Sequence, residues 1–79
     1  MAANTLNPRW VMCVDNAEYP ASLELRKVYR VVADRGAAKL KMIRVVDESG
    51  EDCLYPKGSF VPVELPPKAR PLFAVPAAT

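Results

Sequence analysis

The sequence contains no histidine and only two cysteines, Cys13 and Cys53. Without histidine, a serine–histidine catalytic pair cannot form, and the usual nitrogen ligand of a zinc site is missing. The two cysteines lie far apart and form no Cys-x-x-Cys pair of the kind that metal sites use. A glycine-rich phosphate loop and a nucleophile elbow are also absent. We therefore expect no enzyme, no metal site and no cofactor.

Long apolar runs are absent as well, and none approaches the length needed to span a bilayer. Residues 1–10 lack the basic stretch followed by an apolar run that is typical of a secretory signal. We expect a cytoplasmic location, no membrane association and reduced thiols. Cys13 and Cys53 are then predicted to lie in or near the core, because free cysteine is commonly buried. A disulfide between them is the alternative.

No segment repeats apolar residues at helical spacing, so we expect no helix of any length. Short apolar runs rich in β-branched residues alternate with turn residues, which is typical of an all-β protein. A single domain is expected, because 79 residues bury only a small core. The predicted strands cover residues 10–14, 27–33, 39–46, 53–55 and 60–65, with tight turns at 34–37 and 47–50.

The segments outside these strands are predicted to differ in order. Residues 15–26 are predicted to form a long, ordered loop that Leu23 and Leu25 pin to the core. Residues 1–9 are predicted to be a flexible N-terminus. Residues 66–79 hold four of the eight prolines and are predicted to be an extended or disordered Pro-rich tail. The predicted domain therefore covers residues 10–65.

The order of these elements resembles an SH3-type barrel. Residues 23–31 resemble the segment in which an SH3 domain leaves its long first loop, and residues 47–52 resemble its distal hairpin. Residues 54–61 (Leu-Tyr-Pro-Lys-Gly-Ser-Phe-Val) are similar to its closing motif, in which a proline precedes a 3₁₀ turn, an aromatic and a valine. The chain is also similar to short, uncharacterised bacterial and phage SH3-like proteins. The resemblance covers residues 10–65 and implies a single five-stranded SH3-like barrel.

The residues that SH3 domains use to bind proline-rich peptides are largely missing. The third predicted strand opens without the tryptophan of that groove, and the only tryptophan, Trp10, lies in the first strand. The first loop holds only Glu18 and Glu24 beyond Asp15 to select an arginine of the ligand. We therefore do not expect the usual mode of peptide binding. A reduced apolar shelf is predicted from Tyr19, Pro56 and Phe60.

The second and third strands predict a partly apolar outer face. Strand alternation turns one set of side chains inward, namely Tyr29, Val31, Ala33, Ile43 and Val45. The opposite set faces outward, interleaved with Arg30 and Arg44: Val28, Val32, Leu40, Met42 and Val46. Such a face indicates a protein contact or a homodimer seam. The alternative is that bent strands bury part of both faces.

Charge is unevenly distributed along the chain. Residues 26–44 contain seven basic residues against Asp34 alone, and residues 47–52 contain four acidic residues. A basic stripe of this kind attracts phosphates, although solvated surface charge is the simpler interpretation. Tyr29 is the only aromatic interleaved with the bases, so base stacking would be poor. The acids are interpreted as solvated turn residues rather than a catalytic carboxylate pair.

The leading prediction is a non-catalytic protein–protein interaction module. The partner is an unidentified protein or a second copy of the chain. Its candidate partner-binding residues are Tyr19, Arg30, Met42, Arg44, Pro56 and Phe60. The alternative is weak nucleic-acid binding through the basic strand pair from Arg26 to Arg44. A third possibility is an inert structural or assembly element.

Overall fold

In the computed structural model, which describes residues 9–73, five short strands and two single-turn helices make up the fold. The strands are antiparallel and belong to one sheet, which confirms the all-β prediction. A 3₁₀ turn at Lys57–Ser59 joins the last two strands, as the closing motif predicts. In chain order the elements are β1 (Trp10–Cys13), β2 (Val28–Val32), α1 (Arg35–Lys39), β3 (Met42–Val46), β4 (Asp52–Pro56), β5 (Phe60–Val63) and α2 (Arg70–Phe73).

The sheet has the strand order β4-β3-β2-β1-β5, with β4 and β5 as the edges of an open sheet. Strand β2 lies at the centre of the sheet and pairs with β1 on one side and with β3 on the other. Its first residues, from Val28 to Arg30, pair with β1, and Val31 and Val32 pair with β3. Strand β2 therefore connects the β1–β5 pair to the β3–β4 pair.

The core consists of alternate strand residues and one loop residue. Tyr29, Ile43 and Val45 are buried, and Val31 packs against the core, as the strand alternation predicts. Ala33 is an exception, because it follows the end of β2 and is exposed. The complete core cluster is Val11, Cys13, Leu23, Tyr29, Ile43, Val45, Tyr55 and Phe60.

The segment from residue 15 to residue 26 is an ordered loop, as predicted. The backbone N–H of Leu23 donates to Tyr19 O at 3.0 Å, and the Asn16 side-chain amide donates to Leu23 O at 2.9 Å. Leu23 is 1% exposed, whereas Leu25 is 41% exposed. Only one of the two leucines therefore pins the loop, and the prediction was wrong for Leu25. Arg26 closes the loop in the left-handed region, with φ of 64°.

The prediction that the chain contains no helix was wrong at Arg35–Lys39, where α1 replaces the predicted turn and the start of the third strand. The Asp34 carboxylate caps this helix by accepting from the Ala37 N–H at 3.0 Å. Lys41, with φ of 58°, ends the turn, so β3 begins only at Met42. Leu40 consequently lies outside the strand and is 71% exposed. One helical turn is too short to show a 3.6-residue repeat.

The C-terminal segment contains α2, which contacts β2. Arg70 Nε donates to Leu65 O at 3.2 Å and ties the helix to the end of the sheet. Residues 70–73 therefore differ from the extended or disordered chain predicted for residues 66–79. Residues 1–8 and 74–79, the remainder of the two predicted terminal segments, lie outside the described residues.

Both cysteines carry free thiols. Cys13 lies in the core, and half-buried Cys53 packs against it. The prediction of two core or near-core thiols is confirmed, and the disulfide alternative was wrong. Among residues 9–73, no helix is long and apolar enough to cross a membrane.

Candidate functional site

The turn between β3 and β4 is organised by a buried acid, Asp47, which is 8% exposed. The Tyr55 hydroxyl donates to its Oδ2 at 2.5 Å, and the Ser49 hydroxyl and backbone N–H donate to its Oδ1 at 2.5 and 2.9 Å. Gly50, with φ of 86°, completes the predicted tight turn. The interpretation of Asp47 as a solvated turn acid was wrong, because these donors compensate the loss of water.

Glu48, the next residue, ties the same turn to the long loop. Its carboxylate accepts from the Tyr29 hydroxyl and from Lys27 Nζ, which approaches one oxygen at 2.7 Å. The Glu48 backbone N–H donates to Ser22 O at 3.0 Å, and the Tyr29 hydroxyl accepts from the Glu24 N–H at 2.7 Å. The two acids thus hold the hydroxyls of two core tyrosines. Their hydrogen bonds join the β3–β4 turn to the core and to the long loop.

These contacts shift the pKa values of both partners. Burial favours the neutral form of Asp47, but the hydrogen bonds from Ser49 and Tyr55 outweigh burial and lower the pKa of this carboxyl. Lys27 and then Tyr29 lower the pKa of Glu48. Burial and the bond to Asp47 raise the pKa of Tyr55 to about 12. Both tyrosine–acid pairs therefore stay as phenol and carboxylate around neutral pH.

We expect the protein to lose stability in acid. A carboxyl whose pKa is lowered in the folded state contributes stability above its unfolded pKa, roughly 4 for Asp or Glu, and loses it as pH falls through the folded pKa. The melting temperature can be followed by circular dichroism. Between pH 7 and 5 these carboxyls stay ionised and should not change it, whereas below about pH 4 it should fall as they become protonated. Asp47→Asn should show a shallower fall. An unchanged acid slope in that variant would contradict the role of Asp47.

The structure brings together two of the three predicted shelf residues. Half-buried Tyr19 and Pro56 line a shallow depression of about 370 Å³, with Asp15 and Glu18 on its rim. The edge of the Tyr19 ring contacts Tyr55, with ring centroids 5.0 Å apart. The shelf is therefore partly acidic rather than broadly apolar.

The third predicted shelf residue, Phe60, is 7% exposed and lies in the core cluster. Its ring makes edge contacts with Tyr29 and Tyr55. As the first residue after the 3₁₀ turn, it points into the core and is not available to a partner.

A depression with a mostly apolar lining lies where the β2–β3 hairpin meets α1, and we call it the hairpin cleft. It encloses about 270 Å³ and includes the candidate residue Met42. Most of its lining is apolar, whereas Arg9, Asp34 and Lys57 are polar. The apolar lining residues are Val31, Val32, Ala33, Ala37, Ala38, Met42 and Ile43. Sequence analysis missed the wall from Ala37 and Ala38, for which the only signal was Asp34 at a capping distance.

Arg44, another candidate residue, supports this cleft from outside. Its Nε donates to Asp34 Oδ2 at 2.8 Å, and Nη1 lies 3.9 Å from Asp52 Oδ1. The Arg44 guanidinium and the Ala37 N–H lower the pKa of Asp34, which keeps the helix cap ionised. Arg44 thus positions the cap of α1 and does not itself line the cleft.

Six of the seven bases in the basic stripe are exposed, but two of the seven already have carboxylate partners. Lys27 pairs with Glu48 and Arg44 pairs with Asp34, so two of the seven bases have carboxylate partners. Tyr29, the only aromatic of the stripe, is 4% exposed and cannot stack on a base. Arg30 is exposed on the β1 side of β2, opposite Trp10 and away from the hairpin cleft.

Metal-binding groups and similarity to known proteins are two further sources of a functional assignment. Within residues 9–73, no group of three or more His, Cys, Asp or Glu residues is arranged to hold a metal ion. Searches with the chain find no matching protein-family model, no matching curated protein and no matching solved structure.

Proposed function

We propose that the chain is a non-catalytic protein-interaction module built on an SH3-like barrel. The strand order, the sharing of β2 between two halves of the sheet and the 3₁₀ turn before β5 support this architecture. The inward side chains of both halves meet in one core cluster. Further closure of the sheet would bring the two edge strands together. Binding modules of this size act through a surface rather than a deep pocket.

The hairpin cleft is the binding surface, and its apolar lining is the observation that carries this proposal. Seven of its ten lining residues are apolar. Its volume of about 270 Å³ lies just below the range of small-molecule pockets, roughly 300–1,000 Å³. An opening of this size suits one or two large apolar side chains of a peptide segment. The rest of the segment would lie across α1 and the β2–β3 hairpin.

Charge around the cleft indicates the kind of segment. Arg9 and Lys57 line it, and exposed Arg35, Lys39 and Lys41 follow along α1 and its C-terminal end. Its one acidic lining residue is already held by Arg44 and a helix N–H. A protein segment with large apolar residues between aspartates and glutamates therefore complements both lining and rim. Nucleic acid fits less well, because the lining is mostly apolar and the described residues that form it include no aromatic side chain.

Met42→Glu is expected to weaken binding of such a segment at least about tenfold, which corresponds to about 1.4 kcal/mol. A short fluorescein-labelled peptide with a Leu-Phe pair between acidic residues is the probe, and fluorescence anisotropy is the measurement. Lys57→Glu, a change at the exposed rim, should weaken binding without disturbing the core. Leu25→Glu is the matched control, because Leu25 is an exposed leucine of the long loop.

Two control peptides test whether binding depends on the acidic residues and on the Leu-Phe pair of the probe. A peptide with lysines in place of its acids should bind much more weakly, and so should one with alanines in place of Leu-Phe. Equal binding of the wild type, Met42→Glu and Lys57→Glu would exclude the cleft. Self-association that Met42→Glu abolishes would assign the cleft to a second copy of the chain. Tight binding of an oligonucleotide that Arg30→Glu plus Arg44→Glu abolishes would favour the nucleic-acid alternative.

A further inference from the structure

A second depression lies at the other side of β2, and we call it the arginine pocket. It encloses about 740 Å³ and is lined by Arg9, Trp10, Arg30, Val31, Arg70 and Pro71. Its three arginines come from three places: the residue before β1, the middle of β2 and the start of α2. The fold thus gathers onto one surface three bases that are distant in sequence.

The position of each arginine follows from backbone contacts. The Val31 N–H donates to Arg9 O at 2.9 Å, which places Arg9 beside β2. Arg30 is the register partner of Trp10 on β1. Arg70 is tied to Leu65 O through its Nε at 3.2 Å, and its helix contacts β2. These contacts bring the three arginines to the same depression, which Trp10 also lines.

Among residues 9–73, no negative charge balances the three arginines of this pocket. No acidic residue lines it, and none of its three arginines forms an ion pair within residues 9–73. Elsewhere in the same range, Lys27 and Arg44 each have a carboxylate within 4 Å. Three unpaired guanidinium groups around one depression repel one another, and a bound anion of high charge relieves that repulsion. Guanidinium forks match the oxygens of phosphate groups in charge and geometry.

We propose that the arginine pocket binds a small oxyanion with two or more linked phosphoryl groups. A single phosphate is too small to reach arginines spread around a depression of about 740 Å³, whereas a linked pair spans more of it. The site is separate from the function proposed for the hairpin cleft. Among the described residues, Arg9 and Val31 line both depressions, whereas Trp10, Arg30, Arg70 and Pro71 line the arginine pocket but not the hairpin cleft.

Pyrophosphate is the probe, and Trp10 supplies the signal because it is the only tryptophan of the chain and lies in the pocket. At constant ionic strength, pyrophosphate should change its fluorescence saturably and raise the melting temperature, since the ligand binds the folded state. Arg30→Gln and Arg70→Gln should each weaken binding about tenfold or more, because each removes charge-assisted hydrogen bonds. Arg35→Gln, which removes the same charge from α1, should leave binding unchanged.

Several results would overturn the proposal. An equal response to chloride at matched ionic strength would show general screening. Unchanged binding in both Arg30→Gln and Arg70→Gln would show that pyrophosphate does not bind in the arginine pocket. An equal loss of binding in Arg35→Gln would show a diffuse attraction to the positive charge of the protein. Binding of oligothymidylate without any response to pyrophosphate would assign the basic surface to nucleic acid instead. Far-ultraviolet circular dichroism of each variant confirms that it is folded before its binding is compared.

Discussion

Replacing Leu23 with alanine is expected to lower the free energy of unfolding by about 2–5 kcal/mol, the range for large-to-small changes of buried leucine. Leu23 is 1% exposed and is the loop's contribution to the fully buried core. A domain of 79 residues has a total stability of about 4–12 kcal/mol, so this change removes much of it. Urea unfolding followed by circular dichroism measures the difference.

Leu25→Ala is the matched control for this prediction. The two leucines lie two residues apart in the same loop, but Leu25 is 41% exposed and lies outside the core cluster. Its truncation should change the free energy of unfolding by less than about 0.5 kcal/mol. Similar losses in the two variants would contradict the position of Leu23 in the core. They would instead support a loop that both side chains pin.

Replacing Asp47 with alanine is expected to lower the free energy of unfolding by about 2–4 kcal/mol, because it leaves the buried Tyr55 hydroxyl without its acceptor. It also removes the acceptor of the Ser49 hydroxyl and backbone N–H. Tyr55→Phe removes one donor and keeps the carboxylate bonded to Ser49, so its loss should be smaller, about 1 kcal/mol. Urea unfolding of both single variants and the double variant measures the coupling.

Glu51→Ala is the control for Asp47, because Glu51 is an exposed acid of the same turn. Its removal should have an effect within about 0.5 kcal/mol. In the double variant, Tyr55→Phe should cost little once Asp47 is absent, since the hydroxyl no longer has its partner. Strictly additive losses would contradict a direct Tyr55–Asp47 bond.

Four of the five strands were predictable as local apolar runs with β-branched residues, and β4, which has none, was predictable from the turn residues before it. The residues that point into the core from β2 and β3 follow from alternation, and Tyr29, Ile43 and Val45 are buried as predicted. Alternation stops at the end of a strand, which is why Ala33 was misplaced. Leu23 and Leu25 lie in an irregular loop, where no periodicity distinguishes a buried side chain from an exposed one.

The features that sequence analysis missed depend on contacts between distant residues. Helix α1 is capped by Asp34, which Arg44 holds from the neighbouring strand. Asp47 is buried because Tyr55 returns to it from β4. Neither partnership leaves a local pattern in the sequence.

The candidate surfaces were consequently predicted only in part. Met42 does line an apolar cleft, whereas the wall of α1 that encloses the cleft was not foreseen. Of the predicted shelf residues, Tyr19 and Pro56 line the depression, whereas Phe60 is buried in the core. The arginine pocket includes Arg9 and Arg70, which lie near opposite ends of the described chain, so no local sequence pattern predicts it.

The most direct test of the proposed function is a nuclear magnetic resonance titration of the ¹⁵N-labelled protein with the acidic Leu-Phe peptide. We predict saturable shifts at the backbone amides of Ala37, Ala38 and Met42, which line the hairpin cleft. Amides of Ala17, Glu18 and Tyr19, at the acidic shelf, should remain unchanged. Shifts confined to the shelf or to the arginine pocket, or no saturable shift at all, would contradict binding at the hairpin cleft.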